Sequence, residues 1–145
     1  MGYGRKGNGT TAMVLMDGDR TPLGVILTAA NQGEVNHIER LLDAAVVELP
    51  AESRLLYDGA ADSDPLRERL AKRSVELICP HRRNRVKPAT QDGRKLRRRR
   101  HRWKNERVNA WLQSYGRIAI RKDYLAVMFL GWTQLACLFT ILKRF

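Results

Sequence analysis

The chain has too few cysteines for a disulfide framework or a cysteine-based zinc site. Its two cysteines are Cys79 and Cys137, and neither has a second cysteine at the short spacing that zinc sites use. A reducing cytoplasm is therefore the expected compartment. The first eleven residues, MGYGRKGNGTT, contain no apolar stretch, so we expect no signal peptide in this stretch.

Acidic residues are scarce in one segment, residues 82–107. This segment contains 13 Lys or Arg residues but only two acidic residues, Asp92 and Glu106. Its net charge of +11 accounts for nearly all of the +12 of the 145-residue chain. A field focused in this way attracts polyanions, and nucleic acid is the expected partner. Trp103 and Trp111 are candidates for stacking on bases, although Trp111 fits the apolar stripe of a helix and is expected in the core.

The last apolar run allows two interpretations. Residues 124–142, YLAVMFLGWTQLACLFTIL, carry no charge and approach the roughly 20 residues of a membrane-spanning helix. Gly131, Thr133 and Gln134 interrupt the run, and a helix covered on most sides within a protein has the same pattern. A buried helix is favoured, while a small polybasic membrane protein with one C-terminal span stays an alternative.

Periodicity and turn residues predict an α/β fold with the element order β-β-α-β-α-β-α-α. An Asp-Gly turn joins two apolar runs into a β-hairpin, and Asp64-Pro65 begins a helix. The predicted segments are a flexible lead-in at 1–10, strands at Thr11–Met16, Pro22–Thr28, Arg54–Tyr57 and Val75–Cys79, a helix at Glu34–Leu49, a basic connector at 81–93, a helix at 94–116 that carries Glu106, and an apolar helix at 123–143.

Two carboxylates are candidates for a functional site. Asp58 follows the strand Arg54–Tyr57 and precedes the small residues Gly59–Ala61, and α/β folds place ligands where strands end. The alternative for Asp58 is a turn residue that caps its own loop. Glu106 lies one helical turn after Arg102. As a surface pair the two would contribute roughly a few tenths of a kcal/mol, whereas as a ligand Glu106 would hold Mg²⁺ beside a phosphate-binding face.

The segment RWKNERVNAWLQ resembles the signature of DDE transposases of bacterial insertion sequences, families four and five. That signature is Tyr-x₂-Arg-x₃-Glu-x₆-Lys, and Arg102 and Glu106 match it in type and spacing. Arg99 stands at the tyrosine position and Gln113 at the lysine position, and both are departures from the signature.

A second stretch, LLYDGAADSDPLRERL, resembles the family's second-aspartate motif. Asp58 stands at the position of the aspartate, while Ala61 replaces an aromatic residue. The stretches RTPLGVILTAANQGE and ICPHRRNR are also typical of the family, so the similarity covers essentially the whole chain.

The resemblance implies an RNase H-like catalytic core that cleaves and joins DNA at insertion-sequence ends with Mg²⁺ or Mn²⁺. In that fold the first, central strand carries the first catalytic aspartate, and the strands of this chain would be the second to the fifth. The missing strand would lie before Met1. Residues 1–145 would then form an incomplete RNase H-like domain with two C-terminal helices, and an upstream transposase segment would supply the first aspartate.

The resemblance also implies roles for single residues. Asp58 and Glu106 would be catalytic carboxylates and two of three metal ligands, and Arg102 would hold the phosphate near the cleaved end. The other basic residues would follow the DNA backbone: Arg82, Arg83, Arg85, Arg97, Arg98, Arg99 and Lys104. The implied partners are transposon-end and target DNA and a second copy of the protein, with no membrane, in the nucleoid of a bacterial cytoplasm.

Two consequences follow from the expected absence of the central strand. The strands Thr11–Met16 and Arg54–Tyr57 would expose unpaired edges, so the isolated chain is expected to be marginally stable or to aggregate. A cooperative melt at high temperature would contradict this. The activity of the chain alone is also in question, and the alternative is a non-catalytic DNA-binding remnant, which metal-dependent nicking of DNA would distinguish from an enzyme.

Overall fold

The structure, a computed structural model, describes residues 2–4, 7–91 and 93–144, with side chains described from Gly9 onward except that of Arg99. Its contacts divide the chain into a first unit, residues 1–48 and 104–145, and a second unit, residues 49–103. In chain order the elements are β1 (Gly2–Gly4), β2 (Gly7–Met16), β3 (Pro22–Ala29), a 3₁₀ turn (Glu34–His37), α1 (Ile38–Asp43), β4 (Ser53–Leu56), a 3₁₀ turn (Gly59–Ala61), α2 (Asp64–Lys72), β5 (Val75–Ile78), α3 (Gly93–Leu96), a 3₁₀ helix (Arg97–Arg102), α4 (Trp103–Gln113), α5 (Gly116–Ala119) and α6 (Ala126–Leu142). The mixed α/β content agrees with the predicted class.

The first unit contains the predicted β-hairpin. The strands β2 and β3 are antiparallel, and β1 pairs with the start of β2. The described part of residues 1–10 is therefore mostly strand, in contrast to the flexible lead-in expected from its glycines, because backbone pairing does not require apolar side chains. Asp17 forms the turn: its Oδ1 accepts from the backbone N–H groups of Asp19 and Thr21 at 2.8 Å each, so Asp17 has a structural role.

Both faces of this sheet carry helices. Val14 and Met16 of β2 pack against a core cluster of Val108, Leu112, Ala136 and Cys137 from α4 and α6. The alternate residues Met13 and Leu15 are buried as well and point to the opposite face. The helix α1 contacts β2 and β3. This arrangement places α4, which carries Glu106, on one face of the hairpin.

The helix predicted over Glu34–Leu49 is shorter than expected. It ends at Asp43, and Val46 is 83% exposed although its spacing placed it on the buried face. The Val46 N–H donates to the carbonyl of Leu23 at 2.8 Å, so the chain leaves the helix and runs along β3. Gly24 permits this approach, because a Cβ there would lie 2.6 Å from the carbonyl oxygen of Ala44.

The C-terminal apolar helix is buried on one face rather than on most sides. Phe129, Thr133, Ala136, Cys137 and Thr140 form the buried face of α6. Large apolar residues on its other side, such as Val127 at 67% and Phe139 at 46%, are exposed. Within the described residues, no helix has both the length and the apolarity needed to cross a membrane.

The second unit is a β-α-β element. The strands β4 and β5 are parallel, and α2 packs against β5 and buries Leu66 and Leu70. Ser63 is the N-cap of α2, while Asp64, the predicted cap, is the first residue of the helix. Among the described strands, β4 pairs with β5 only, and the Thr10–Met16 part of β2 pairs with β3 only. These are the two edges that the sequence predicts to be open.

The basic segment does not form the single α-helix predicted over residues 94–116. The structure divides it into α3, a 3₁₀ helix at Arg97–Arg102, and α4, and α4 ends at Gln113 before Gly116. Like charges three and four residues apart destabilise an α-helix, and the run RRRRHR places several such pairs in one turn. The 3₁₀ helix ends at Arg102, and α4 begins at Trp103, three residues before Glu106.

Candidate nucleic-acid and metal site

Asp58 lies where β4 ends, as the sequence predicts, and it caps the turn that follows. Its Oδ1 accepts from the backbone N–H of Ala60 at 2.8 Å, which makes it the N-cap of the 3₁₀ turn Gly59–Ala61. The capping interpretation is thus correct for one carboxylate oxygen. The second oxygen takes no part in this hydrogen bond, so capping does not exclude a ligand role.

A buried carboxylate that the sequence did not single out lies four residues later. The side chain of Asp62 is 1% exposed. Its Oδ1 accepts from Arg67 Nη2 at 3.1 Å and from Arg85 Nη1 at 3.0 Å, and its Oδ2 accepts from the backbone N–H of Arg82 at 2.9 Å. His81 Nδ1 lies 3.6 Å from the same Oδ1. Asp62 therefore joins α2 to the basic connector.

Two further contacts attach the connector to the Asp58 turn. The Arg82 guanidinium donates from Nε to the carbonyl of Gly59 at 3.2 Å and from Nη2 to the carbonyl of Ala60. Arg85 also donates from Nη2 to Asp64 Oδ1 at 2.8 Å. The only sign of these contacts in the sequence is that an acidic run, DSD at 62–64, is followed by a basic run, HRRNR at 81–85. The contacts join residues about twenty apart, so local periodicity does not predict them.

The charges of this cluster favour ionised carboxylates. Burial raises the pKa of Asp62, but the hydrogen bonds from the Arg82 backbone and Arg67, with the charges of Arg85 and Arg67, outweigh burial and leave that pKa below its ordinary value. The hydrogen bond from Arg85 likewise lowers the pKa of Asp64. Both oxygens of Asp62 accept hydrogen bonds from these partners, which gives the buried carboxylate a structural role.

Glu106 and Arg102 lie around the start of α4. Glu106 is exposed in the first turn of α4, and Arg102, the last residue of the 3₁₀ helix, is half-buried. Asp58 belongs to the second unit and Glu106 to the first, so a shared metal site stays a prediction. Nowhere in the described residues do three His, Cys, Asp or Glu side chains form a group able to hold a metal ion.

The predicted DNA-binding residues fall into two groups. Arg82, Arg85 and Lys104 donate to protein acceptors, and for Lys104 the acceptor is the carbonyl of Gly18 in the hairpin turn. Arg85 is only 11% exposed. The side chains of a second group are exposed, namely Arg83, Arg97 and Arg98. The side chain of Arg99 lies outside the described residues. The exposed group is the better candidate for phosphate contacts.

Comparison with known proteins places these features in a family. The family described as Transposase DDE domain matches residues 2–141 of the chain. A protein of Burkholderia cepacia, described as a candidate transposase for insertion sequence element IS402, is 31% identical over 139 residues. That match covers 89% of this chain but 61% of the relative, so the chain spans less than two thirds of the relative's length. No solved structure matches the chain.

The family match extends over nearly every described residue and includes both halves of the candidate site. The family implies an RNase H-like fold, with which the mixed α/β elements are compatible, and members of the family generally use divalent metal ions. The chain therefore belongs to the DDE transposase family of insertion sequences.

Proposed function

We propose that this chain is part of an enzyme that cleaves insertion-sequence ends and joins them to target DNA. The single observation that carries the proposal is the family match over residues 2–141, together with the family-type spacing of Arg102 and Glu106 within it. Asp58 and Glu106 act as two of three carboxylate ligands, because hard oxygen ligands suit Mg²⁺ or Mn²⁺. Arg102 holds the phosphate near the cleaved end.

The third carboxylate and the central strand come from an upstream transposase segment. The open edges of β4 and of Thr10–Met16 support this part of the proposal, because each offers unpaired backbone groups to another strand. The working form is a homodimer on DNA in the bacterial nucleoid.

Metal-dependent nicking of plasmid DNA tests the catalytic role. The transposase that includes this chain should nick DNA with Mg²⁺ or Mn²⁺ and lose activity with EDTA. Glu106→Gln and Asp58→Asn should each abolish nicking while leaving DNA binding within about twofold, because they remove ligands and not phosphate contacts. Glu68→Gln, which changes an exposed carboxylate of α2, is the matched control. Full activity of Glu106→Gln would show that its assignment is wrong.

A non-catalytic DNA-binding protein is the second candidate, favoured by the incomplete ligand set. Both candidates use the exposed arginines, so binding alone does not separate them. The logarithm of the affinity should fall with the logarithm of the salt concentration by about 0.9 for each phosphate neutralised. Arg98→Gln should make that slope shallower by about 0.9, the contribution of one phosphate. A flat slope would exclude the basic segment as the contact surface. Binding without nicking by the complete protein would favour the second candidate.

A further inference from the structure

The helix α6 has a second apolar face, on the side opposite to the face that packs in the first unit. Four large side chains of this face are 38–53% exposed, namely Met128, Leu135, Leu138 and Leu142. Gly131 lies among them, and a Cβ there would meet nothing within 4 Å. These five residues are the apolar stripe. We infer that the apolar stripe is the docking surface for α6 of a second copy of this chain.

The spacing of the apolar stripe is that of a seam between two paired helices. Its members follow one another at intervals of three, four, three and four residues. This alternation keeps them on one line that a second helix can follow along its whole length. The buried residues of α6 occupy the other side of the helix, so a second helix can reach the stripe without disturbing the core of the first unit.

The absence of charge on α6 favours an identical partner. Charged residues beside a helix seam normally select the partner and repel wrong ones. The helix Ala126–Leu142 has no charged residue, so nothing along it repels a second α6 or offers an ion pair to a charged helix. The other described helices of nine residues or more, α2 and α4, both carry charges. Among the described helices, α6 itself is therefore the best match for the stripe.

Gly131 favours an antiparallel arrangement of the two copies. In a parallel two-fold pair, Gly131 would face the same glycine of the other copy and leave a gap, which forfeits packing contacts. In an antiparallel pair the two-fold axis passes near Leu135, the middle of the stripe, and each Gly131 faces a leucine of the other copy. Opposed helix dipoles also favour the antiparallel pair.

The length of α6 limits the strength of this contact. Its 17 residues form a helix about 25 Å long. One pair of helices of this length buries less than the roughly 1,200–2,000 Å² of a stable interface, so the copies should associate weakly on their own. The inference rests on the proposed function for the working pair, because DNA that holds two copies together raises their effective concentration.

Sedimentation velocity of the full chain without DNA, over a range of micromolar concentrations, tests the inference. The wild type should show a reversible equilibrium between monomer and dimer. Leu135→Glu and Leu138→Glu should each raise the dissociation constant about tenfold or more, because each buries a charge in the seam. Val46→Glu places the same charge on an exposed apolar residue of the same unit outside α6. As the matched control, it should change the constant by less than about twofold.

Oxidative cross-linking tests the antiparallel arrangement and keeps the inference testable if a charged variant fails to fold. A disulfide needs Cα atoms roughly 4–7 Å apart, which an antiparallel pair offers near its axis and not at its ends. Leu135→Cys should therefore cross-link two copies, and Leu142→Cys should not. The native Cys79 and Cys137 are buried and provide the background. Equal cross-linking of both variants would overturn the antiparallel arrangement.

Two results would overturn the docking surface itself. One is a wild-type chain that stays monomeric, which would leave the stripe to an upstream segment of the transposase. The other is a dimer that Leu135→Glu and Leu138→Glu weaken no more than Val46→Glu does, because the copies would then associate elsewhere, for example through the open strand edges. Either result leaves the metal-dependent nicking test as it stands. Absence of nicking by a protein that still forms the α6 dimer would contradict the proposed function and not the docking surface.

Discussion

Replacing Asp62 by alanine should destabilise the protein by about 3 kcal/mol. The Asp62 side chain is 1% exposed and accepts hydrogen bonds from Arg67, Arg85 and the backbone N–H of Arg82. Removing one partner of a buried ion pair typically costs about 3–5 kcal/mol, because the other charge is left without compensation.

The lower end of that range applies because the arginines keep other acceptors. Arg67 also donates to the carbonyl of Leu77 at 2.9 Å and to Cys79 Sγ at 3.0 Å, and Arg85 also donates to Asp64. Asp62→Asn keeps the size of the side chain but loses its charge, and its amide places N–H donors where donors already point. We expect it to cost less than alanine but more than about 1 kcal/mol.

Urea unfolding followed by circular dichroism measures the effect. Asp62→Ala should lower the unfolding midpoint without changing the dependence on urea. Glu68→Ala, which removes an exposed carboxylate of α2, should stay within about 0.5 kcal/mol of the wild type. A loss below about 1 kcal/mol for Asp62→Ala would refute the reasoning, since it would mean that the arginines find solvent or new acceptors at little cost.

Three other outcomes are expected from the same structure. Because folding lowers the pKa of Asp62, the stability that this carboxylate contributes is present above about pH 4 and is lost as the pH falls through its folded-state pKa. The urea midpoint of Asp62→Asn should therefore fall less steeply with decreasing pH than that of the wild type. Ser74 has φ of 55°, so Ser74→Gly should raise stability by about 0.5–1 kcal/mol in the same urea assay, and no gain would contradict a strained backbone. Burial raises the pKa of the Cys79 thiol and raises that of Cys137 to about 11, so a thiol reagent at pH 8 should react with neither until urea is added.

The sequence predicts most of the strands and the hairpin because their signals are local. Short apolar runs, the Asp-Gly turn between two of them and the Asp-Pro start of α2 can each be read from a few neighbouring residues. Asp58 could be placed at the end of β4 for the same reason. The helix predicted at Glu34–Leu49 is too long because the Val46 N–H donates to the Leu23 carbonyl instead of continuing the helix. Sequence periodicity does not reveal a hydrogen bond to a distant strand.

The candidate site was predictable only in part. The sequence places Glu106 on a helix, although the structure begins that helix at Trp103 and not at Arg94. The role of Asp62 depends on contacts with Arg82 and Arg85, about twenty residues away. A buried aspartate in the stretch AADSDP has the same local pattern as an exposed turn residue. Its burial follows from where the connector lies, which neither charge count nor hydropathy specifies.

The connector shows that net charge is an incomplete guide to a DNA-binding surface. The sequence predicts one basic field over residues 82–107, yet Arg82 donates to the turn after Asp58, and Arg85 donates to Asp62 and Asp64. A guanidinium that is already paired with carboxylates has less to offer a phosphate. Arg82 instead holds the turn that Asp58 caps, so part of the charge predicted to bind DNA positions the proposed catalytic carboxylate. Within the proposed function, Arg82 of the connector therefore contributes to catalysis through geometry, and the exposed Arg83, Arg97 and Arg98 contribute through charge.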